Sequence, residues 1–517
     1  MLRINYIWAL LMVVALASCE QGKYDREIEP PVEVVSGEAN FTNYVALGNS
    51  LTAGYADGAM FIAGQDNSYP NLLAKKMAIT GGGEFTQPLM NDNTGGLLFM
   101  GNPFPRQGPR LFFDGTGLSV LPGSPTTEIT NIQPGPYNNM GVPGAKSFHL
   151  VAPGYGNLAN LEAGLANPYF VRMASSANAS VLEDAMAANP TFFSLWIGAN
   201  DVLGYAYSGG DGSDLITDKA VFDGSMALLT GTLTSGGAKG IIANLPNVLT
   251  TAFFNFVSYA PLDPSDTDSP YPPIIPDLNA AYANLNRAFE ALGFDDRKVI
   301  FSETEFSPIV IFDESLPNIS VPLKAALMFG GLDELTATIL STQYGQSRQS
   351  KSDDLITLVG GQEIGILNTD YFQQLVGMGV PQDLAGQLSL NGLTYPMPDT
   401  FVLVPAEQTE IKDASLAFNQ TLEQLAASNG LAYFDAYSFI TDLVENGYSS
   451  DGYTVNGDLI FGGMFSLDGL HLTARGNAIM ANEMMKVIDD TFESNFEEAG
   501  ALYDIGDFPT IYSPALR

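Results

Sequence analysis

Short apolar runs alternate with stretches of helical periodicity through most of the chain. Asn43-Tyr44-Val45-Ala46-Leu47 predicts a strand that runs into a Gly-Asn-Ser turn. Ser68-Tyr69-Pro70 then opens a helix over 71–78, with serine as cap and proline in the first turn. Phe192 to Ile197 predicts a buried strand after a helical 178–188. The helical 220–233 leads into a strand at 240–243, the helical 413–428 into a strand at 431–434, and a last helix is expected from Thr473 to Asp489. Strands that alternate with helices run parallel, because each crossover helix has to lie against a face of the sheet. The predicted fold class is therefore α/β, a three-layer α/β/α sandwich with a mainly parallel sheet.

Two stretches interrupt the alternation. Residues 80–136 are rich in Gly and Pro and carry the aromatics Phe99, Phe104, Phe112 and Phe113. Residues 260–400 contain the acidic loop Asp263-Pro264-Ser265-Asp266-Thr267-Asp268 and an amphipathic segment near 321–342. Insertions this long are usually functional or separately folded. The acidic loop lacks the glycine and closing glutamate of a calcium loop and reads as solvated. Asp277–Ser302 and Lys412–Asp435 share a helix-then-strand layout, which two independent amphipathic helices explain equally well.

Composition changes this picture in two places. The 57 acidic residues against 21 basic ones give a net charge of −36. A phosphate backbone would be repelled, which argues against nucleic acid as a partner. At the N-terminus, Arg3 precedes an apolar run from Tyr6 to Ala17, too short to span a bilayer, followed by Ser18 and Cys19. Leu16-Ala17-Ser18-Cys19 resembles the bacterial lipoprotein box, where the cysteine becomes the lipidated first residue. That resemblance implies a signal peptide over 1–18, a lipid anchor at Cys19 and an extended tether over 19–38. Likeness to Gram-negative lipoproteins implies the cell envelope, at the outer membrane. Cys19 is the only cysteine, so no thiol remains for disulfide, metal or nucleophilic work. The main domain is then 39–492, with 493–517 as a C-terminal extension.

Four short blocks carry the candidate chemistry. Gly48-Asn49-Ser50-Leu51-Thr52-Ala53-Gly54 follows the first strand, so Ser50 stands at the carboxyl edge of the sheet, where open α/β sheets keep their sites. Taken alone, that serine serves equally as a helix cap. In Asn139-Met140-Gly141-Val142-Pro143-Gly144-Ala145 a glycine lets the backbone approach a substrate and leaves an N–H for an oxyanion; alone it is an ordinary turn. Gly198-Ala199-Asn200-Asp201 follows the strand ending at Ile197, and its asparagine amide is a turn residue or an oxyanion donor. Asp468-Gly469-Leu470-His471 precedes the last helix. The chain has only two histidines, His149 and His471. An aspartate three residues before His471 can reach Nδ1 and fix the tautomer a general base needs. His149 has no acid close before it and reads as structural.

In order, these blocks resemble blocks I, II, III and V of the SGNH hydrolases, the GDSL-like lipases and acylhydrolases. Tyr69-Pro70-Asn71-Leu72-Leu73-Ala74, Asn244-Leu245-Pro246 and Leu472-Thr473-Ala474-Arg475-Gly476-Asn477 agree with it, and the likeness covers about half the chain. It implies a flavodoxin-like sheet and a serine ester hydrolase that works through an acyl-enzyme. Ser50 would be the nucleophile, His471 the base and Asp468 its partner. The backbone N–H groups of Ser50 and Gly144 and the Asn200 amide would form the oxyanion hole. No metal or cofactor is implied. The ester could be a lipid, a small soluble ester or an acylated glycan. Asn49 departs from the family, which has aspartate there; altered local hydrogen bonding with retained activity is expected. No G-x-S-x-G elbow is present, against an α/β-hydrolase route. The same scaffold without chemistry would be a non-catalytic surface lipoprotein that binds glycans or lipids; intact Ser50, Asn200, Asp468 and His471 count against it.

Overall fold

Five short runs, buried along nearly their whole length, make the central sheet of the computed structural model, which describes residues 32–517. They are β1 (Tyr44–Gly48), β2 (Asn139–Gly141), β3 (Phe192–Trp196), β4 (Lys239–Ala243) and β5 (Ala432–Phe434). Every pairing is parallel and the order is β5-β4-β3-β1-β2. The chain leaves β1 for β2 on one side and returns to β3 on the other. In a doubly wound sheet of this order, that reversal opens a crevice at the carboxyl ends of the strands. Register brings those ends level: Gly48 lies opposite both Gly141 and Trp196. The expected signal peptide and lipidation site at Cys19, and most of the expected tether, lie outside the described residues.

Helices flank the sheet, as the alternation predicts: α1 (Tyr69–Met77), α2 (Val181–Ala187), α3 (Ala199–Tyr207), α4 (Lys219–Thr234), α5 (Pro405–Asn429) and α6 (Ala474–Phe492). α1 packs on α6, while α5 packs on α3 and α4. α5 begins earlier than its periodicity suggests, because Pro405 sits at its start and Glu407 returns to the Val404 N–H at 2.7 Å. Strand β2 is the element the apolar pattern did not announce; its Asn-Met-Gly carries a single apolar side chain, so no apolar run marks it.

Both interruptions are packed. The second has a core of its own that includes Leu278, Tyr282, Phe289, Phe301, Ile311 and Leu323. Its amphipathic segment is two helices, Ser320–Phe329 and Glu334–Tyr344, broken at Gly330-Gly331. The helix Ile275–Leu292 is not followed by a strand, so the likeness to 412–435 ends there; Asn279 and Asn286 side chains pin the backbone of Phe301 and Val299 instead. The first interruption forms two small hairpins around Met90, Leu97 and Ile129, with Phe99 and Phe104 packed against them. Among the described residues no helix is long and apolar enough to cross a membrane.

Candidate active site

Where β1 ends, Asn49 caps the single helical turn Ser50–Ala53: its Oδ1 accepts the Leu51 N–H at 3.0 Å. Ser50 therefore occupies the first helical position at the carboxyl edge of the sheet, and it is buried. An aspartate at 49 would offer the same oxygen, so asparagine keeps the cap without the charge. The turn is braced from behind. Thr52 Oγ1 and Tyr69 Oη lie 2.9 Å apart, and the Tyr69 N–H reaches Asn477 Oδ1 at 3.0 Å. Stretches 408 residues apart in the chain thus meet around the serine turn.

Asp468 sits at the centre of a donor network. Its Oδ1 accepts the Leu470 and His471 N–H groups, both at 2.9 Å, and Ser466 Oγ at 3.1 Å. Its Oδ2 accepts the Gly58 N–H at 2.8 Å and lies 2.9 Å from His471 Nδ1. Burial pushes this carboxyl up, but the neighbouring imidazole and the hydrogen bonds outweigh it and hold Asp468 well below the usual carboxylate range. An ionised carboxylate only accepts, so Nδ1 carries the proton and Nε2 is left as the basic nitrogen. The Tyr55 ring packs on the imidazole with centroids 4.6 Å apart. Gly469 allows this tight loop: its φ is +74°, and a Cβ there would meet Phe253 N at 2.8 Å.

The other two blocks converge on the same edge. Gly144 has φ +78° with open space over its Cα. Asn200 lies in the first turn of α3 and donates from Nδ2 to the Ala145 carbonyl at 2.9 Å, which spends one of its two amide hydrogens. Beside it, buried Asp201 accepts the Ser147 N–H at 2.8 Å and Ser147 Oγ at 2.7 Å, tying the 144–147 turn to α3. Burial raises the Asp201 carboxyl pKa even though the two Ser147 hydrogen bonds oppose it.

A cleft of about 630 Å³ opens here, and Ser50, Gly144, Asn200 and His471 all line it. Much of the rest of its wall is polar: Arg106, Gln107, Lys146, Ser208, Ser213 and Asp214, with Lys146 Nζ 2.6 Å from Asp214 Oδ1. None of Phe99, Phe104, Phe112 or Phe113 is among its lining residues; the first insertion reaches the cleft through Arg106 and Gln107. Among the described residues Ser50 Oγ and His471 are not hydrogen-bonded to each other. Such contacts often close only around substrate.

His149 has a different setting. Its Nδ1 accepts the Lys146 N–H at 3.0 Å and its ring stacks on Tyr155 at 4.5 Å. Burial, with help from Lys146, lowers its pKa to about 4, so it is a neutral cap for a short turn. Four contributors carried little signal in the sequence: Tyr55, Asp57, Gly58 and Ser466. Only an Asp-Gly turn soon after Ser50 marked the first three. Compared with family models, curated proteins and solved structures, the chain finds no match.

Proposed function

We propose that the chain is a serine ester hydrolase of the SGNH type, working on an α/β/α scaffold. One observation carries this reading: the hydrogen-bonded Asp468–His471 pair opens on the cleft that Ser50, Gly144 and Asn200 also line. Ser50 Oγ attacks the ester carbonyl carbon while His471 Nε2 takes its proton. Asp468 holds the imidazole and offsets the positive charge that develops on it. The oxyanion accepts hydrogen bonds from the Ser50 and Gly144 N–H groups and from Asn200 Nδ2. As the carbonyl reforms, the alcohol leaves with the proton from His471. Water, activated by the same histidine, then releases the acid and restores Ser50. The cleft wall is mixed: Arg106, Lys146, Asp214 and the serines suit a hydrophilic alcohol such as a glycan hydroxyl, while Tyr55, Leu203, Tyr207 and Leu470 offer apolar surface to an acyl group. Cys19 carries the anchor to the envelope in this reading, and Cys19→Ser is expected to move the protein out of the membrane fraction.

A fluorophosphonate probe tests the chemistry directly. Labelling is expected at Ser50, read by peptide mass spectrometry, and should vanish in Ser50→Ala and His471→Ala proteins that still melt cooperatively. Unlabelled wild-type protein, with no turnover of acetylated glycans or of esters of graded chain length, would point to the binding-only scaffold.

A further inference from the structure

Away from the cleft, three carboxylates from two parts of the chain converge. Glu314 follows the short strand Val310–Phe312, Asp399 lies at the end of the second insertion, and Glu407 stands in the first turn of α5. One oxygen from each lies within 4.8 Å of the others. Glu407 is only 3% exposed; Oε2 accepts the Val404 N–H, while Oε1 is sealed from solvent with no hydrogen-bond partner. Asp399 Oδ1 is sealed and unpartnered as well. No lysine or arginine among the described residues pairs with any of the three; the nearby buried Asp313 already takes Arg348, which is also spent on Asp354.

We propose that Glu314, Asp399 and Glu407 bind a divalent cation, with calcium favoured, and that this ion fastens the second insertion to the sheet domain. Carboxylates this close, two of them with oxygens cut off from water and from N–H donors, have to share either protons or a cation. Without a cation, burial and the neighbouring acids push the Asp399 and Glu407 carboxyls well above the usual carboxylate range. A hard divalent ion suits the donors: all are oxygen, each carboxylate can supply two, and exposed Glu314 leaves a side open to water. Calcium takes about six to eight such ligands in flexible geometry, whereas magnesium demands a near-ideal octahedron. The placement gives the ion a role. Glu314 and Asp399 belong to the insertion and Glu407 to α5. The turn at Gly209-Gly210, just beyond the cleft wall formed by α3, runs against Glu407 Oε1 and the Asp399 backbone.

The test uses the full chain, stripped with EDTA and titrated with CaCl2 by calorimetry and thermal melting. A saturable heat and a rise in Tm that follows it are expected. Glu314→Gln, at an exposed position that leaves folding intact, should weaken calcium binding by at least about tenfold, and Glu407→Gln should abolish it. Asp266→Asn, in the exposed acidic loop, should leave the titration unchanged. Tb3+ luminescence excited through tyrosine gives a second readout, since Tyr205 Oη lies in this acidic neighbourhood, 2.9 Å from Glu410 Oε2. Two results overturn the proposal. One is no saturable binding of Ca2+, Mg2+ or Mn2+ at millimolar concentration with a Tm that rises as the pH is lowered, which marks a proton-sharing cluster. The other is calcium binding that survives both Glu314→Gln and Glu407→Gln.

Discussion

Asp57 and Asp468 are both buried carboxyls, yet their surroundings drive them in opposite directions. Asp468 is met by N–H donors and an imidazole on both oxygens, so it stays charged. Asp57 has the Leu467 N–H on Oδ1 at 3.0 Å, and Oδ2 has no hydrogen-bond partner. Arg110 lies 4.0 Å from that oxygen, but its N–H groups go to the carbonyls of Asn93, Leu111, Ser513 and Leu516. Burial therefore wins and raises the Asp57 pKa to about 7. The contrast can be tested at each carboxyl. Asp468→Asn keeps the shape but presents an amide where Nδ1–H and the Gly58 N–H need an acceptor, and should cost about 10⁴ in kcat on the best ester and lower Tm near neutral pH, where the ionised carboxylate stabilises the fold. For Asp57 the folded pKa exceeds the unfolded one, so its protonated form stabilises the fold below about pH 4, and that contribution is lost as pH rises through about 7. An asparagine at this position would mimic the neutral acid at every pH and also tolerates the φ of 52° found there. Asp57→Asn should then raise Tm, relative to wild type, more at pH 8 than at pH 5; an equal shift at both values would sink this account.

Between elements, the site depends on ties that no single motif displays. Asn200 and Asp201 are adjacent on α3, but one faces the cleft while the other holds the Ser147 N–H and hydroxyl behind it. Asp201→Ala should loosen the 144–147 turn that carries Gly144. The expected result is a loss of about 1–3 kcal/mol in stability, with slower fluorophosphonate labelling of Ser50. Asp201→Asn, which can still accept the Ser147 N–H, should restore part of both; unchanged labelling in Asp201→Ala would remove Asp201 as a positioning residue. The same elements show how far the sequence could be read. Strands β1, β3, β4 and β5 were legible because each is a run of apolar residues closed by a turn signal, and Ser50, Asn200, Asp468 and His471 because each stands just past such a run or just before a helix. What was not legible depends on contacts between distant segments. Asp57 and Gly58 matter only because the 466–471 loop folds onto them, and Glu407 becomes unusual only when Asp399 and Glu314 arrive beside it. Of the aromatics at 99–113, Phe99 and Phe104 pack on a small cluster that joins Met90, Leu97 and Ile129 to Ala53, Met60 and Tyr169, and Phe113 meets Phe461.

Across the whole molecule, residues 508–517 close the structure over the back of the candidate site rather than trailing from α6. Tyr512 sets its ring edge-on to Phe61 at 5.0 Å and bonds the Ala63 carbonyl at 3.2 Å, in a small cluster with Ala56 and Ala474. Just beyond it, the chain offers the Ser513 and Leu516 carbonyls to fully buried Arg110, at 2.7 and 3.2 Å. Arg517 reaches the Pro122 carbonyl at 2.7 Å, so this segment joins the 56–66 loop, the first insertion and the start of α6. The 56–66 loop supplies the Gly58 N–H to Asp468 and the Asp57 N–H to Ser466 Oγ. A defect in the clasp should therefore be felt at the proposed triad. Tyr512→Ala removes a buried ring from this junction and should cost about 3 kcal/mol. Deleting 509–517 should cost more, because Arg110 would keep its charge and lose two of its acceptors. Both changes should lower Tm and kcat together while leaving KM closer to wild type, since the cleft wall of Arg106, Lys146 and Tyr207 is untouched. A Tm that falls with kcat intact would mean that the clasp stabilises the fold without steadying Asp468, and the link from Arg110 through Asp57 to the triad would fail.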